Sequence, residues 1–304
     1  MDWYKVKEKS AGDKRLLISW YLYKIFGTRV LLIISFFVAL FTYLLNSDLR
    51  GYSRKYFEAV SEYFNDKSLK PSRINVFKHI LSYANSLAYK IETFSGGFKS
   101  AKVSFADETM EKVFYEKIKN KEGRIFIFSH VGNIDVLRSY LTNSEKTKGE
   151  SLSILLQKEH CEVFNSFLKK IEKNPGNIKV YPIEEIDITT VSQLDDDLKQ
   201  GGALFIAGDR IASNNPEKSV KVKLFNKNIF LPLGTFKFPK ILGAPVYFIS
   251  VVKEGKEFKI YLEPQEVNSE EVLRDKFIHF IEKMTKIAPY QFYHFYDIFM
   301  DNQD

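Results

Sequence analysis

The sequence predicts an α/β protein in which a mixed sheet is flanked by helices on both faces and preceded by an N-terminal hydrophobic helical region. Two observations predict it. Residues 1–97 contain apolar stretches with helical spacing, whereas from residue 98 onward short strand-like runs alternate with amphipathic segments. Such alternation is typical of a sheet covered by helices. We therefore divide the chain into a membrane-associating helical region, residues 1–97, and an α/β domain, residues 98–304.

Local patterns predict the individual elements. Residues 125–128 are β-branched or aromatic, as in a strand buried on both faces. Asn226 and Lys227 lie between two strand-like runs and predict a hairpin. The predicted strands are residues 101–105, 125–128, 151–156, 178–181, 203–207, 220–225, 228–231, 246–252 and 258–262. The predicted helices of the domain are residues 108–119, 135–141, 159–173, 189–200 and 270–286, and the aromatic tail from Pro289 is expected to pack against the N-terminal helices or lie at a membrane surface.

The N-terminal region contains an uninterrupted apolar run. Residues 30–45 form a run of 16 residues without a charge. As a helix this run is about 24 Å long, shorter than the roughly 30 Å hydrocarbon core of a bilayer. Basic residues flank it on both sides, so a helix lying on an anionic leaflet and a short or tilted span are both open. A buried core helix is the alternative, but the absence of a polar face favours lipid contact.

Composition limits the classes of function. With 304 residues, 45% of them hydrophobic, the chain can bury a large core. Cys161 is the only cysteine, so no internal disulfide is possible, and without further ligands around it we interpret it as a buried residue. The net charge of +7 comes mainly from scattered lysines and no nucleic-acid-binding motif is present. Anionic lipid or an acidic carrier protein is therefore favoured over nucleic acid as a partner.

The most informative stretch is residues 124–137, RIFIFSHVGNIDVL, which reads as strand, turn and helix. His130 would lie at the carboxyl end of the strand, where open α/β sheets bind ligands. Asp135 follows five residues later, and Asn133 can cap the helix. A neutral imidazole can take a proton from a hydroxyl or amine, while a carboxylate on its other nitrogen fixes the tautomer. A histidine with a purely structural role is the alternative at this spacing.

A second predicted strand, residues 203–207, also ends in polar residues. Asp209 and Arg210 follow Gly208 at its carboxyl end. Arg210 could bind a phosphate through its planar guanidinium, and the alternative is a surface turn with an ion pair. Arg138 lies one helical turn after Asp135 and is a second candidate anion contact, with an exposed helix charge as its alternative.

SHVGNID after an apolar strand resembles the H-x4-D/E block of the glycerolipid and lipid A acyltransferase superfamily. It is most similar to the branch that contains the late acyltransferases of lipid A synthesis, whose block reads much like SHxGNxE. Four other stretches resemble that branch in the same order along the chain: WYKVKEKSAGDKRLLISWYLYKIFGTR, GGALFIAGDRIAS, VKLFNKNIFLPLGTFKFPKILGAPVYFISV and PYQFYHFYDIF. Together they cover most of the sequence.

One block departs from the glycerolipid members of the superfamily. Their phosphate-binding block reads F-P-E-G-T-R, whereas here Leu233 replaces the glutamate and Phe236 stands in place of the arginine. A glycerol 3-phosphate acceptor is therefore disfavoured, and the lipid A-type branch is favoured. Backbone N–H groups at Gly234 could donate to a thioester oxyanion, and a purely structural helix start is the alternative.

The resemblance implies a glycerolipid acyltransferase-like fold and an acyltransferase activity. The fatty acyl group would move from acyl-acyl carrier protein or acyl-CoA to a hydroxyl of a lipid A precursor or related bacterial envelope lipid. His130 would be the general base and Asp135 would orient it. The candidate substrate-binding residues are Asn133, Arg138, Asp209, Arg210, Gly234 and Thr235.

The same resemblance implies no metal or redox cofactor. It implies acyl carrier protein, a membrane lipid acceptor and a membrane surface as partners, and no nucleic acid. The expected location is the bacterial inner membrane, with the catalytic domain facing the cytoplasm. The alternatives are an aminolipid or lysophospholipid O-acyltransferase and a non-catalytic envelope protein that binds lipid or acyl carrier protein.

Overall fold

A computed structural model describes residues 13–95, 102–143, 147, 149–158, 161, 177–211 and 216–299. The predicted boundary at residue 97 lies outside these residues, as does nearly all of the predicted helix over residues 159–173. The helices are α1 Asp13–Leu45, α2 Ser47–Tyr63, α3 Arg73–Phe94, α4 Glu108–Lys119, α5 Ile134–Asn143, α6 Ile188–Lys199, α7 Leu233–Leu242 and α8 Glu270–Ile287. The strands are β1 Val103–Phe105, β2 Arg124–Gly132, β3 Ser151–Leu156, β4 Asn177–Pro182, β5 Ala203–Ala207, β6 Ser219–Leu224, β7 Lys227–Pro232, β8 Val246–Glu254 and β9 Glu257–Gln265.

Seven of the strands form one mixed sheet in the order β1-β9-β8-β2-β5-β3-β4. β2 lies between β8 and β5 and is parallel to both, whereas β9 runs antiparallel to β8. As predicted for a strand covered on both faces, the side chains of Ile125 to Phe128 are each at most 5% exposed. These observations confirm the predicted α/β fold with a mixed sheet.

Helices cover both faces of this sheet. On one face, α2, α3 and α8 join Ile125 and Ile127 of β2 in one hydrophobic core. On the other face, α4 and α5 pack with Phe126 and Phe128. The N-terminal helices α2 and α3 therefore share a hydrophobic core with the sheet and cover part of one of its faces.

The separate hairpin of β6 and β7 turns one residue earlier than predicted. Phe225 and Asn226 form the turn, with φ angles of 52° and 61°. A left-handed phenylalanine is unusual, but Phe225 is 1% exposed and packs against Tyr63 and Phe64 of the α2 end. Burial of this ring outweighs the local preference for a polar residue in the turn.

Helix α1 runs antiparallel along α3. Tyr23 near its start packs in the same cluster as Ile91, and Tyr43 near its end contacts Phe77 with ring centroids 5.8 Å apart. Ser35, which is buried, donates a hydrogen bond to the carbonyl of Ala84 over 3.2 Å. Gly27 has φ 73° and kinks α1 where the sequence pattern is interrupted.

The opposite face of α1 exposes large apolar side chains. Ile33, Phe37 and Phe41 are 59%, 52% and 59% exposed. Within the part of the chain that the structure describes, Leu17–Leu45 is long and apolar enough to cross a membrane, with a mean hydropathy of 2.2. This helix gives weak support for membrane association.

Candidate active site

The candidate site lies where β2 and β5 end side by side. The two strands are parallel and in register up to the pair Phe128 and Ala207. His130 and Asp209 each follow that pair by two residues, so the topology brings them together although they are far apart in sequence. In β2 the side chain of His130 is partly exposed while its neighbours are buried.

Three hydrogen-bond donors converge on the carboxylate of Asp209. The Nδ1 atom of His130 lies 2.8 Å from Oδ1, and the backbone N–H of His130 donates to Oδ2 over 2.6 Å. The Nε2 atom of His294 lies 2.9 Å from Oδ2. Asp209 is therefore held in one orientation by both histidines.

The hydrogen bonds define the protonation pattern of the two imidazoles. Since Asp209 accepts at Nδ1 of His130, that nitrogen carries the proton and Nε2 keeps its lone pair. His294 donates from Nε2 to Asp209, and its Nδ1 accepts from the hydroxyl of Tyr296 over 2.8 Å. The side chain of His130 is 26% exposed, whereas those of Asp209 and His294 are 3% and 1% exposed. The imidazole of His130 is therefore accessible from outside, and its Nε2 is the ring nitrogen that keeps a lone pair.

The electrostatics agree with this pattern. Burial alone would raise the pKa of Asp209, but His130 and His294 and their hydrogen bonds lower that pKa well below its usual value. Burial lowers the pKa of His294 to about 4, although Asp209 acts in the opposite direction. At neutral pH the site therefore contains an ionised Asp209 and a neutral His294.

His294 is brought to the site by the C-terminal tail. Val131 and Phe292 form an antiparallel bridge, and the backbone N–H of Tyr293 donates to the carbonyl of His130 over 2.9 Å. His79 on α3 bonds the carbonyl of Phe292 through Nε2 over 2.7 Å. The tail thus packs against the N-terminal helices, which was one of the two placements expected for it.

Asp135, expected to orient His130, is bonded elsewhere. It lies in the first turn of α5, and its Oδ2 is 2.9 Å from the Nζ of Lys90 on α3. The carboxylate at Nδ1 of His130 is that of Asp209 instead. The contact between Asp135 and Lys90 fastens α5 to α3, and Asn133 strengthens it by donating from Nδ2 to the carbonyl of Ser86 over 3.1 Å.

The other predicted site residues differ in their burial and in their contacts. Arg210 donates to the carbonyl of Tyr293 over 3.1 Å and so lies beside the tail. Thr235 is buried, and its hydroxyl donates to the carbonyl of Ala207 over 2.9 Å, which fixes the start of α7 to the end of β5. Gly234 is exposed at this helix start, whereas Arg138 is only 5% exposed within α5.

Sequence reasoning did not identify His294. Its signal was a histidine within the aromatic tail PYQFYHFYDIF, a stretch that also carries the resemblance described above. Nothing local connects it to His130, because the contact depends on how the tail folds back along β2. Lys90 was also missed, because its contact with Asp135 depends on how α3 packs against α5.

His130, Asp209 and His294 also form a group that could hold a metal ion, with their ligand atoms within 4.8 Å of one another. The separations of 2.8 and 2.9 Å between nitrogen and oxygen are those of N–H···O hydrogen bonds. A metal would require both facing nitrogens to be deprotonated. We therefore interpret the group as a hydrogen-bonded relay.

Two buried histidines make stability depend on pH. Burial lowers the pKa of His79 and of His294 to about 4, so the folded protein keeps both neutral down to that pH. In the unfolded chain these histidines bind protons near pH 6.5. Their contribution to the free energy of unfolding is therefore fully present above that pH and falls as the pH drops towards 4. The loss is up to about 1.4 kcal/mol per pH unit for each histidine. Urea unfolding at pH 7, 6 and 5 measures this slope. We expect His79→Gln to reduce the slope, and a slope equal to that of the wild type would contradict this assignment.

No protein-family model matches this chain, and a search of curated proteins finds no match.

Proposed function

We propose that the protein is a membrane-associated acyltransferase that moves a fatty acyl group from an acyl thioester to a hydroxyl of a bacterial envelope lipid. The observation that carries the proposal is the His130–Asp209 hydrogen bond at 2.8 Å, with His130 accessible and Asp209 buried. The ordered sequence blocks support the class of reaction. The expected donors are acyl-acyl carrier protein and acyl-CoA, and a lipid A precursor is the acceptor that the departure at Leu233 favours.

The proposed reaction uses the free nitrogen of His130. Nε2 takes the proton of the acceptor hydroxyl while the oxygen of that hydroxyl attacks the thioester carbonyl. The C–O bond forms, the C–S bond breaks, and the imidazolium returns the proton to the departing sulfur. Asp209 stabilises the imidazolium and holds the tautomer that leaves Nε2 unprotonated. His294 acts as a positioning residue, since it bonds Asp209 rather than the reacting atoms.

The start of α7 is the candidate site for the developing oxyanion. The first N–H groups of a helix have no partner within the helix and point outward. Gly234 belongs to this first turn and leaves open space beside its backbone. The hydrogen bond from Thr235 to Ala207 keeps this turn next to the strand that leads to Asp209.

Lipid analysis of cells tests the reaction. Envelope lipids, lipid A included, would be compared by mass spectrometry between cells that express the wild-type protein and cells that express His130→Ala at equal levels. We expect one lipid class to lose the mass of a single acyl group in the variant. Identical lipid profiles with both proteins present in the membrane fraction would favour the non-catalytic binding protein instead.

We further propose that α1 lies along one leaflet of the inner membrane and that the α/β domain faces the cytoplasm. The packing of α1 along α3 supports a helix at the membrane surface, because one side of α1 is covered by protein and the opposite side exposes large apolar side chains. The exposed apolar face of α1 would then enter the lipid.

Vesicle binding tests this placement. Replacing Phe37 and Phe41 by Glu should weaken co-sedimentation with vesicles of phosphatidylglycerol and phosphatidylethanolamine by about tenfold or more. The reason is that the variant lacks two aromatic rings that would enter the lipid when the protein binds. Both rings are more than half exposed, so the fold should be kept. The control replaces Ile188 and Ile241, 87% and 63% exposed, by Glu. Equal loss in the two double variants would contradict a specific role for α1.

A further inference from the structure

A groove of about 620 Å³ lies between α1, α3 and the C-terminal tail. This volume is within the usual range for small-molecule sites. Leu32 and Phe36, one turn apart on α1, form part of its wall together with Leu81 of α3. His130 is not among the residues that line it, but Asn133 is, so the groove adjoins the candidate active site without including its histidine.

The groove is positively charged. Its described lining includes Lys78 and Lys253 and no carboxylate. Lys78 lies over the ring of Tyr290 with its Nζ 5.6 Å from the centroid, and Lys253 lies over Tyr89 at 5.5 Å. The aromatic rings hold both ammonium groups in place without neutralising them. An anionic ligand would therefore complete the charge balance.

Neutral polar side chains line the same groove. Ser82 and Asn85 of α3 are among the lining residues, as are the two lysines. Ammonium groups and hydrogen-bonding side chains in one groove match a head group that combines a phosphate with a hydroxyl.

The apolar wall identifies the kind of molecule that carries this head group. Leu32 and Phe36 are continuous along α1 with Ile33 and Phe37, which are exposed on the apolar face. A free phosphate or a sugar phosphate has no apolar part that could contact this wall. The acyl chains of a lipid could contact it, leave the groove along this face of α1 and enter the bilayer.

We propose that the groove binds the head group of one anionic membrane lipid, with its phosphate attracted by the ammonium groups of Lys78 and Lys253 and its hydroxyl bonded to the side chain of Asn85. This inference goes beyond the acyl transfer proposed above and does not depend on it. It gives the protein a lipid site beside α1 in addition to the His130 centre.

The probe is dioctanoyl phosphatidylglycerol below its micelle concentration, which carries a phosphate and a glycerol hydroxyl. Native mass spectrometry of the full-length protein would measure its binding, with every variant made in a His130→Ala background so that turnover cannot affect the result. We expect one bound lipid per chain. The double variant Lys78→Glu/Lys253→Glu should bind at least about tenfold more weakly, and Asn85→Leu about three- to tenfold more weakly.

The matched control is Lys223→Glu/Lys240→Glu, which makes the same charge change at exposed lysines outside the groove lining. It should bind as the unmodified background does. Circular dichroism verifies that each variant is folded, and Asn85→Leu carries the test if the groove lysine variant is not. Equal binding by the groove and control variants, equal binding of dioctanoyl phosphatidylcholine, or displacement by inorganic phosphate at the same concentration would overturn the proposal.

Discussion

Asp209→Asn should lower the rate of acyl transfer by about 10²- to 10⁴-fold, whereas Asp135→Asn should leave it within about threefold. The reason is geometric. Asp209 accepts from Nδ1 of His130 at 2.8 Å, so an amide there removes the charge that stabilises the imidazolium and permits the wrong tautomer. Asp135 pairs with Lys90 on α3, and its loss affects the contact between two helices.

The two substitutions are matched because each replaces one carboxylate oxygen by an amide nitrogen. Purified variants would be compared by the initial rate of acyl transfer from acyl-acyl carrier protein to extracted envelope lipid, with thermal unfolding as the measure of folding. A large loss of rate in Asp135→Asn with little change in Asp209→Asn would restore the assignment that the spacing of the motif predicts.

Gly132→Ala should lower the free energy of unfolding by about 2–4 kcal/mol or prevent folding. Gly132 has φ 87°, and a Cβ atom added there would lie 2.2 Å from the carbonyl oxygen of Val251. Its backbone N–H donates to the carbonyl of Gln291 over 2.8 Å, which holds the tail beside β2. The substitution therefore disturbs the turn after His130 and the segment that supplies His294.

Urea unfolding measures this effect, and Gly51→Ala is the control. Gly51 lies within α2, and an added Cβ would have no atom within 4 Å. There alanine should raise stability by about 0.5–1 kcal/mol, because glycine is a poor helix former. A Gly132→Ala protein as stable as the wild type would contradict the conformation assigned to the turn.

Much of the fold could be predicted because its signals are local. The predicted strand over residues 203–207 and the predicted helix over residues 108–119 have the bounds that the structure gives them. Hydrophobic runs and polar caps determine such elements within a few residues. The hairpin turn at Phe225 was misplaced by one residue because burial against α2 decides it.

Half of the candidate site could be predicted and half could not. The positions of His130 and Asp209 at strand ends follow from the alternating pattern, since ligands bind at the carboxyl ends of parallel strands. Which carboxylate bonds His130 does not follow from spacing. Asp135 is near in sequence, but Lys90 on α3 occupies its carboxylate, whereas the parallel register of β2 and β5 brings Asp209 to Nδ1.

His294 shows the same limit more clearly. Its contact with Asp209 requires the tail to pair with the end of β2 and to be held by His79. These interactions join three distant parts of the chain. Only the assembled structure reveals that a second histidine, which is buried, supports the carboxylate.

The most direct test is thioester cleavage by the purified protein in lipid vesicles that contain extracted envelope lipids. Acyl-acyl carrier protein would be added in a single-turnover experiment to the wild-type protein and to His130→Ala. We expect the wild type to release free carrier protein and form one new acylated lipid, and His130→Ala to do both at least about 10²-fold more slowly. Equal rates of both steps in the two proteins would contradict the assignment of His130 as the general base.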